Sequence, residues 1–157
     1  MQTAYSPNMM TGLPDPRSDV EFYEGVPSKR LFAWVIDAIL IIVLSVLVVL
    51  VMGILTIGVA FFFAGFLFMV TGFLYRVVFL ATKSATPGMA LMGIQFRTIE
   101  GSKFELKEAI FHTGLYTVMV MTFFGQVGSI VTMITTEYGR SIPDIVLGST
   151  AINKPLQ

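Results

Sequence analysis

Lys29-Arg30-Leu31-Phe32-Ala33-Trp34-Val35-Ile36-Asp37 runs without a break into an apolar stretch that lasts to Met52, and its reading decides the fold. From Leu31 to Met52 there are 22 residues, interrupted by polar side chains only at Asp37 and Ser45. At helical rise this length crosses a hydrocarbon core of about 30 Å. The stretch therefore reads as a membrane helix. Its odd feature is Asp37, because an acid at the centre of such a helix costs about 2.5 kcal/mol or more, and less near the interface. A partner for that carboxylate must exist elsewhere in the chain.

The rest of the composition agrees with a membrane frame. The chain has 157 residues, 55% of them hydrophobic and 13% charged, with a mean hydropathy of +0.80, too apolar for an ordinary soluble domain. Ten basic and ten acidic residues cancel, which leaves no basic surface for nucleic acid. Cysteine is absent, so disulfides, thiolate metal sites and thiol nucleophiles are excluded together.

Residues 1–28 form a polar tail with Pro14, Pro16 and Pro27 and one apolar cluster at Val20, Phe22, Tyr23 and Val26. It is either disordered or docked on the membrane surface or a partner. Lacking an apolar core, it is no cleavable signal peptide, and the first helix is expected to serve as its own insertion signal.

The short uncharged turn Gly53 to Gly58 predicts that a second helix, about 57–80, returns antiparallel to the first, about 31–52. Gly58, Gly65 and Gly72 recur every seven residues in it and read as a helix-packing seam, since small residues let helices approach closely in lipid. A loop at 82–106 follows, with a turn at Thr86-Pro87-Gly88. Ile94, Phe96 and Thr98, then Phe104 and Leu106, alternate around Gly101 and predict a short two-stranded hairpin. The third apolar segment, about 109–136, suffices for one span or for a re-entrant pair folded at Gly125 to Gly128. The fold class is thus an all-α membrane protein: a transmembrane helical hairpin, a third spanning or re-entrant segment, and a cytoplasmic β-hairpin-like loop. The membrane domain covers 29–152, with a C-terminal tail at 153–157.

Charge placement gives the orientation. Arg17, Lys29 and Arg30 precede the first helix, and Arg76, Lys83, Arg97, Lys103 and Lys107 lie between the second helix and the third segment, whereas the intervening turn has no basic residue. The N-terminus and the large loop are therefore expected in the cytoplasm of a bacterial inner membrane. Arg140 and Lys154 fall outside if the third segment spans, and inside if it is re-entrant.

These residues also carry a family resemblance. The spacing from Arg30 to Asp37, the segment Ala85-Thr86-Pro87-Gly88 followed by Gly93-Ile94-Gln95-Phe96-Arg97 and Gly101, and the late Asp144 with Gly148 and Thr150 resemble the RDD family of small membrane proteins, named for one arginine and two aspartates. The resemblance covers about 26–152 and implies Arg30, Asp37 and Asp144 as the naming residues. It departs from the family pattern at Met89, His112 and Pro143, where family members often carry basic residues. It implies a membrane compartment and either of two activities, since some members are proposed to exchange sodium and protons and others look like accessory proteins of membrane complexes.

The chemistry narrows accordingly. Arg30 shares a helix face with Asp37, but helical side chains lean toward the N-terminus, so Arg30 is expected to point toward water. Arg76 or Arg140 is then the expected partner of Asp37, in a polar cluster of Arg30, Asp37, Arg76, Arg140 and Asp144 that either locks helices or couples to ions. His112, the sole histidine, reads as an interfacial polar residue rather than a ligand of haem or of a chlorophyll-type pigment. No catalytic pair, cofactor or metal site is expected. The Thr86-Pro87-Gly88 turn lacks the lysine and glycine spacing of a phosphate loop. Two functions remain: a non-catalytic accessory subunit packed in the bilayer against a larger complex, and a small cation (sodium)/proton exchanger acting as a homo-oligomer. The chain has no internal repeat, so the second would need several copies.

Overall fold

The computed structural model describes residues 12–154; of the expected tails, 1–28 and 153–157, positions 1–11 and 155–157 lie outside the described residues. Helix α1 spans Val26–Leu55, longer at both ends than the apolar run. Pro27 in its first turn is compatible with helix, since the missing N–H would have had no partner there, and Gly25 precedes it in the left-handed region at φ 69°. Thirty residues make about 45 Å, longer than a hydrocarbon core of about 30 Å. This helix and the next long one are both long and apolar enough to cross a membrane.

Thr56 closes α1 by donating its hydroxyl to the Met52 carbonyl (2.6 Å) and accepting from the Ala60 amide (2.9 Å). A 3-10 turn at Val59–Phe63 leads into α2, Ala64–Lys83. Three approaches fix how α2 runs. Gly53 lies against the Phe61 ring, Ile41 against Gly72, and Asp37 against Tyr75, so as one helix ascends the other descends.

Helix α3, Pro87–Leu91, leads into strand β1, Ile94–Thr98. The predicted local hairpin is corrected here. A turn does form, with the Thr98 amide donating to the Ser102 carbonyl (3.0 Å), but the chain then leaves β1 instead of pairing along it. The Phe104 amide bonds Ser84 Oγ (2.7 Å), and Glu105 and Glu108 form a capping box that starts helix α4, Leu106–Met121. The edge of β1 is taken by β2, Ser149–Asn153, antiparallel with Ile94 opposite Asn153 and Thr98 opposite Ser149. Phe96 and Phe104 stack at 5.1 Å in the core between sheet and helices, with Val26, Leu80 and Ala109.

The third apolar segment is two helices, α4 and α5 (Phe123–Thr135), bent by 118°. The break is at Thr122, three residues before the glycines expected to make it. Thr122 is extended (φ −110°, ψ 115°), and its hydroxyl bonds back to the Val118 carbonyl at 3.0 Å. Gly125 serves the bend differently, because a Cβ there would collide with Thr122 Oγ1. Helix α6, Ile142–Leu147, then leads to β2. The segment from residue 12 to Gly25 packs on the chain's own sheet and loops. The Gly12 amide bonds the Ile99 carbonyl (2.9 Å), Leu13 and Phe22 are buried, and Asn153 Nδ2 donates to the carbonyls of Glu21 and Glu24.

Candidate functional site

Asp37 lies on the face of α1 turned toward α2 and α3, and it is buried. Three donors meet its oxygens: Tyr75 Oη of α2 (2.8 Å), Thr86 Oγ1, and the backbone amide of Gly88 (2.8 Å). The Thr-Pro-Gly turn is thus built around this carboxylate. Thr86 donates to Asp37 while accepting from the Met89 amide as the cap of α3. Pro87 supplies a first helical residue that needs no N–H partner. Gly88 must be glycine, since a Cβ would strike both the Ala33 carbonyl and the Asp37 carboxylate.

Asp144 forms a second node. It caps α6 with Ser141, whose amide (2.8 Å) and hydroxyl (2.6 Å) both bond Oδ2. Arg30 Nη1 approaches the same oxygen at 2.6 Å, and His112 Nε2 approaches Oδ1 at 2.8 Å. Burial alone would raise this carboxyl, but Arg30, His112 and Ser141 together hold it well below the usual carboxylate range. An ionised carboxylate only accepts, so His112 carries its proton on Nε2; Nδ1 is buried with no partner among the described residues. Arg30 also donates to the Gly139 carbonyl (3.1 Å), and its guanidinium faces the Phe96 ring at 5.3 Å.

The single polar cluster expected from the sequence is therefore two separate nodes. Arg30 does not turn to water; it reaches across to Asp144, 114 residues later. Neither Arg76 nor Arg140 pairs with Asp37, whose oxygens are already met by neutral donors. Arg76 lies over the Tyr116 ring at 3.8 Å, and Tyr116 Oη accepts from Trp34 Nε1 at 2.7 Å. Arg140 lies over Tyr138 at 4.5 Å. Of the seam glycines, Gly72 meets Ile41 of α1, Gly65 faces open space, and Gly58 sits in the turn before α2 at φ 90°. Gly101 closes the turn after β1 at φ 79°, beside Gly12, and its carbonyl accepts from Arg97 (3.2 Å).

Three site residues escaped the sequence reading. Ser141 was findable, because Ser-x-x-Asp is a capping spacing. Tyr75 sits next to the arginine that was considered in its place. His112 is buried against Asp144, not interfacial, and a lone histidine in an apolar segment gives no sign of which it is.

Between the nodes lies a cavity of about 510 Å³, walled by Trp34, Asp37, Arg76, His112, Tyr116 and Ser129 among others. Among the described residues no three His, Cys, Asp or Glu side chains converge as a metal site would require. What the geometry does directly is tie elements together: Asp37 joins α1, α2 and α3, and Asp144 joins α1, α4 and α6.

Neither a curated protein nor a solved structure matches the chain. The RDD family model does, over residues 25–148, which takes in Arg30, Asp37, the Thr86-Pro87-Gly88 turn and Asp144. With that match over most of its length, and two helices able to cross a membrane, the chain belongs to the RDD family and is an integral membrane protein.

Proposed function

We propose that this protein is a non-catalytic membrane module that packs against a larger membrane assembly and contributes stability rather than chemistry. The observation that supports this most is the saturation of both carboxylates by donors from the chain itself, Tyr75, Thr86 and Gly88 on Asp37, and Arg30, His112 and Ser141 on Asp144. A relay carboxylate must trade its proton for a cation, and so needs oxygens that can be vacated. Here each oxygen is tied to elements remote in sequence, so vacating it would loosen the frame. Around that frame Phe62, Phe123 and Phe124 project from the turn after α1 and from the α4–α5 bend, available to a neighbouring helix as well as to lipid.

In the same reading α4 and α5 are a re-entrant pair in a bacterial inner membrane. Both chain ends and the sheet then lie on the cytoplasmic side, with all ten basic residues. Affinity purification in mild detergent tests the assignment. Stoichiometric recovery with a larger membrane complex is the expected result. A homo-oligomer that drives proton flux against a sodium gradient in vesicles would overturn it and return Asp37 and Asp144 to ion coupling.

A further inference from the structure

Arg76 is a buried cation without an ion-pair partner among the described residues. The residue is only 9% exposed, it makes no hydrogen bond or ion pair among the described residues, and its Nε is enclosed without a partner. The Tyr116 ring, its centroid 3.8 Å from the guanidinium carbon, offers a π face but no acceptor oxygen and no counter-charge. A buried cation is costly unless an anion meets it.

Arg76 stands on the wall of the cavity of about 510 Å³, a volume in the range that takes small organic ligands. The other charges on that wall are accounted for. Arg30 is paired with Asp144, and the Asp37 carboxylate keeps its charge but has its oxygens taken by Tyr75, Thr86 and Gly88, which leaves none turned to Arg76. The remaining wall is mostly apolar, with Leu31 and Trp34 from α1 and Ile130, Met133 and Ile134 from α5. Leu31 and Ile134 are exposed, which puts the rim of the cavity on the apolar surface between α1 and α5.

We propose that this cavity binds a lipid-like anion, its carboxylate or phosphate head on Arg76 and its chain between α1 and α5. The reading goes beyond the accessory role and does not depend on it. A bidentate guanidinium suits either head group, and the apolar wall selects a chain over a free ion.

Trp34, the sole tryptophan, lines the cavity and reports on it. The full chain in dodecyl maltoside is titrated with ω-bromoundecanoate and with ω-bromoundecanol, whose bromine quenches tryptophan on contact. The acid is expected to quench saturably at a concentration about tenfold lower than the alcohol, because only the acid meets Arg76. Arg76→Gln should erase that difference and Arg76→Lys retain most of it, while inorganic phosphate should leave the quenching unchanged. Equal half-saturation for acid and alcohol in the wild-type protein overturns the proposal without need of any variant. A difference that survives Arg76→Gln also overturns it, and displacement of the acid by inorganic phosphate would mean a site for a free ion instead.

Discussion

Asp144→Asn removes one charge and little volume, which makes it the sharpest probe of the node around Arg30. Four bonds converge on this side chain, from Arg30 at 2.6 Å, His112 at 2.8 Å, and the Ser141 amide and hydroxyl at 2.8 and 2.6 Å. An asparagine offers one acceptor oxygen and turns an NH₂ toward the remaining donors, so at least one is left unmet at about 1–3 kcal/mol. Arg30, whose side chain is 11% exposed, loses its counter-charge at the same time. Breaking a buried pair from one side costs about 3–5 kcal/mol in all, which for a chain of this length lowers the melting temperature by about 6–20 °C. Thermal unfolding in dodecyl maltoside, followed by Trp34 fluorescence and by size-exclusion profile, measures the drop. Arg30→Met combined with Asp144→Asn should recover part of the loss, because the stranded charge is then gone as well. A drop below about 3 °C, or a double variant at least as unstable as the sum of the two singles, would refute the assignment of Asp144 as a structural anchor.

Acid should act on the same node. The folded-state Asp144 is held below the unfolded value of about 3.9, so its contribution is complete above about pH 4 and is lost as pH falls through the depressed folded value. Melting temperatures should therefore fall with acid below about pH 4, and less steeply in Asp144→Asn; identical slopes would count against the linkage. At the other node, Asp37→Asn keeps an oxygen for Tyr75 and Gly88 and lets the Thr86 hydroxyl turn to accept, so it should cost far less than Asp37→Leu. The leucine strands three buried donors at about 1–3 kcal/mol each, and equal losses for the two variants in thermal unfolding would sink that account. Gly88→Ala should destabilise by about 1–3 kcal/mol through its collision with Ala33 and Asp37, whereas Gly65→Ala, facing open space in α2, should be neutral or gain up to about 1 kcal/mol. Denaturation of the pair side by side checks both signs.

The long helices were legible because lipid makes the same demand at every position: an apolar run of sufficient length and no stray charge. The Thr-Pro-Gly turn was legible as a turn, since proline and glycine act locally. What it encloses was not, because Asp37 meets Thr86 and Gly88 across the fold, and sequence spacing carries no trace of that distance. The β hairpin misled for the same reason. Ile94 to Thr98 has the alternation of a strand, but alternation does not name the partner, and Ser149 to Asn153 competes from the far end of the chain. The assignment of Arg76 to Asp37 follows from charge and from the register of the antiparallel hairpin, which brings Arg76 within a turn of Asp37 but does not say which side chain turns to it. Neutral donors from Tyr75, Thr86 and a backbone amide occupy both oxygens of the carboxylate, and Arg76 turns to the Tyr116 ring instead. The break at Thr122 was hidden by the glycines beside it, one of which serves the bend by giving room to the threonine side chain.

The bond from Arg30 to Asp144 also sets a schedule. The two residues are separated by 114 positions, and a ribosome adding about 5–20 residues per second takes roughly 6–23 seconds to cover that interval. For all of that time α1 exists with its arginine uncompensated, and the only comfortable place for such a side chain is the aqueous edge of the bilayer. Helix α6 arrives late, followed only by β2 among the described elements, and brings Asp144 to Arg30. A chain interrupted before Asp144 keeps its arginine at that edge without a counter-charge, and the unpaired charge marks an unfinished molecule.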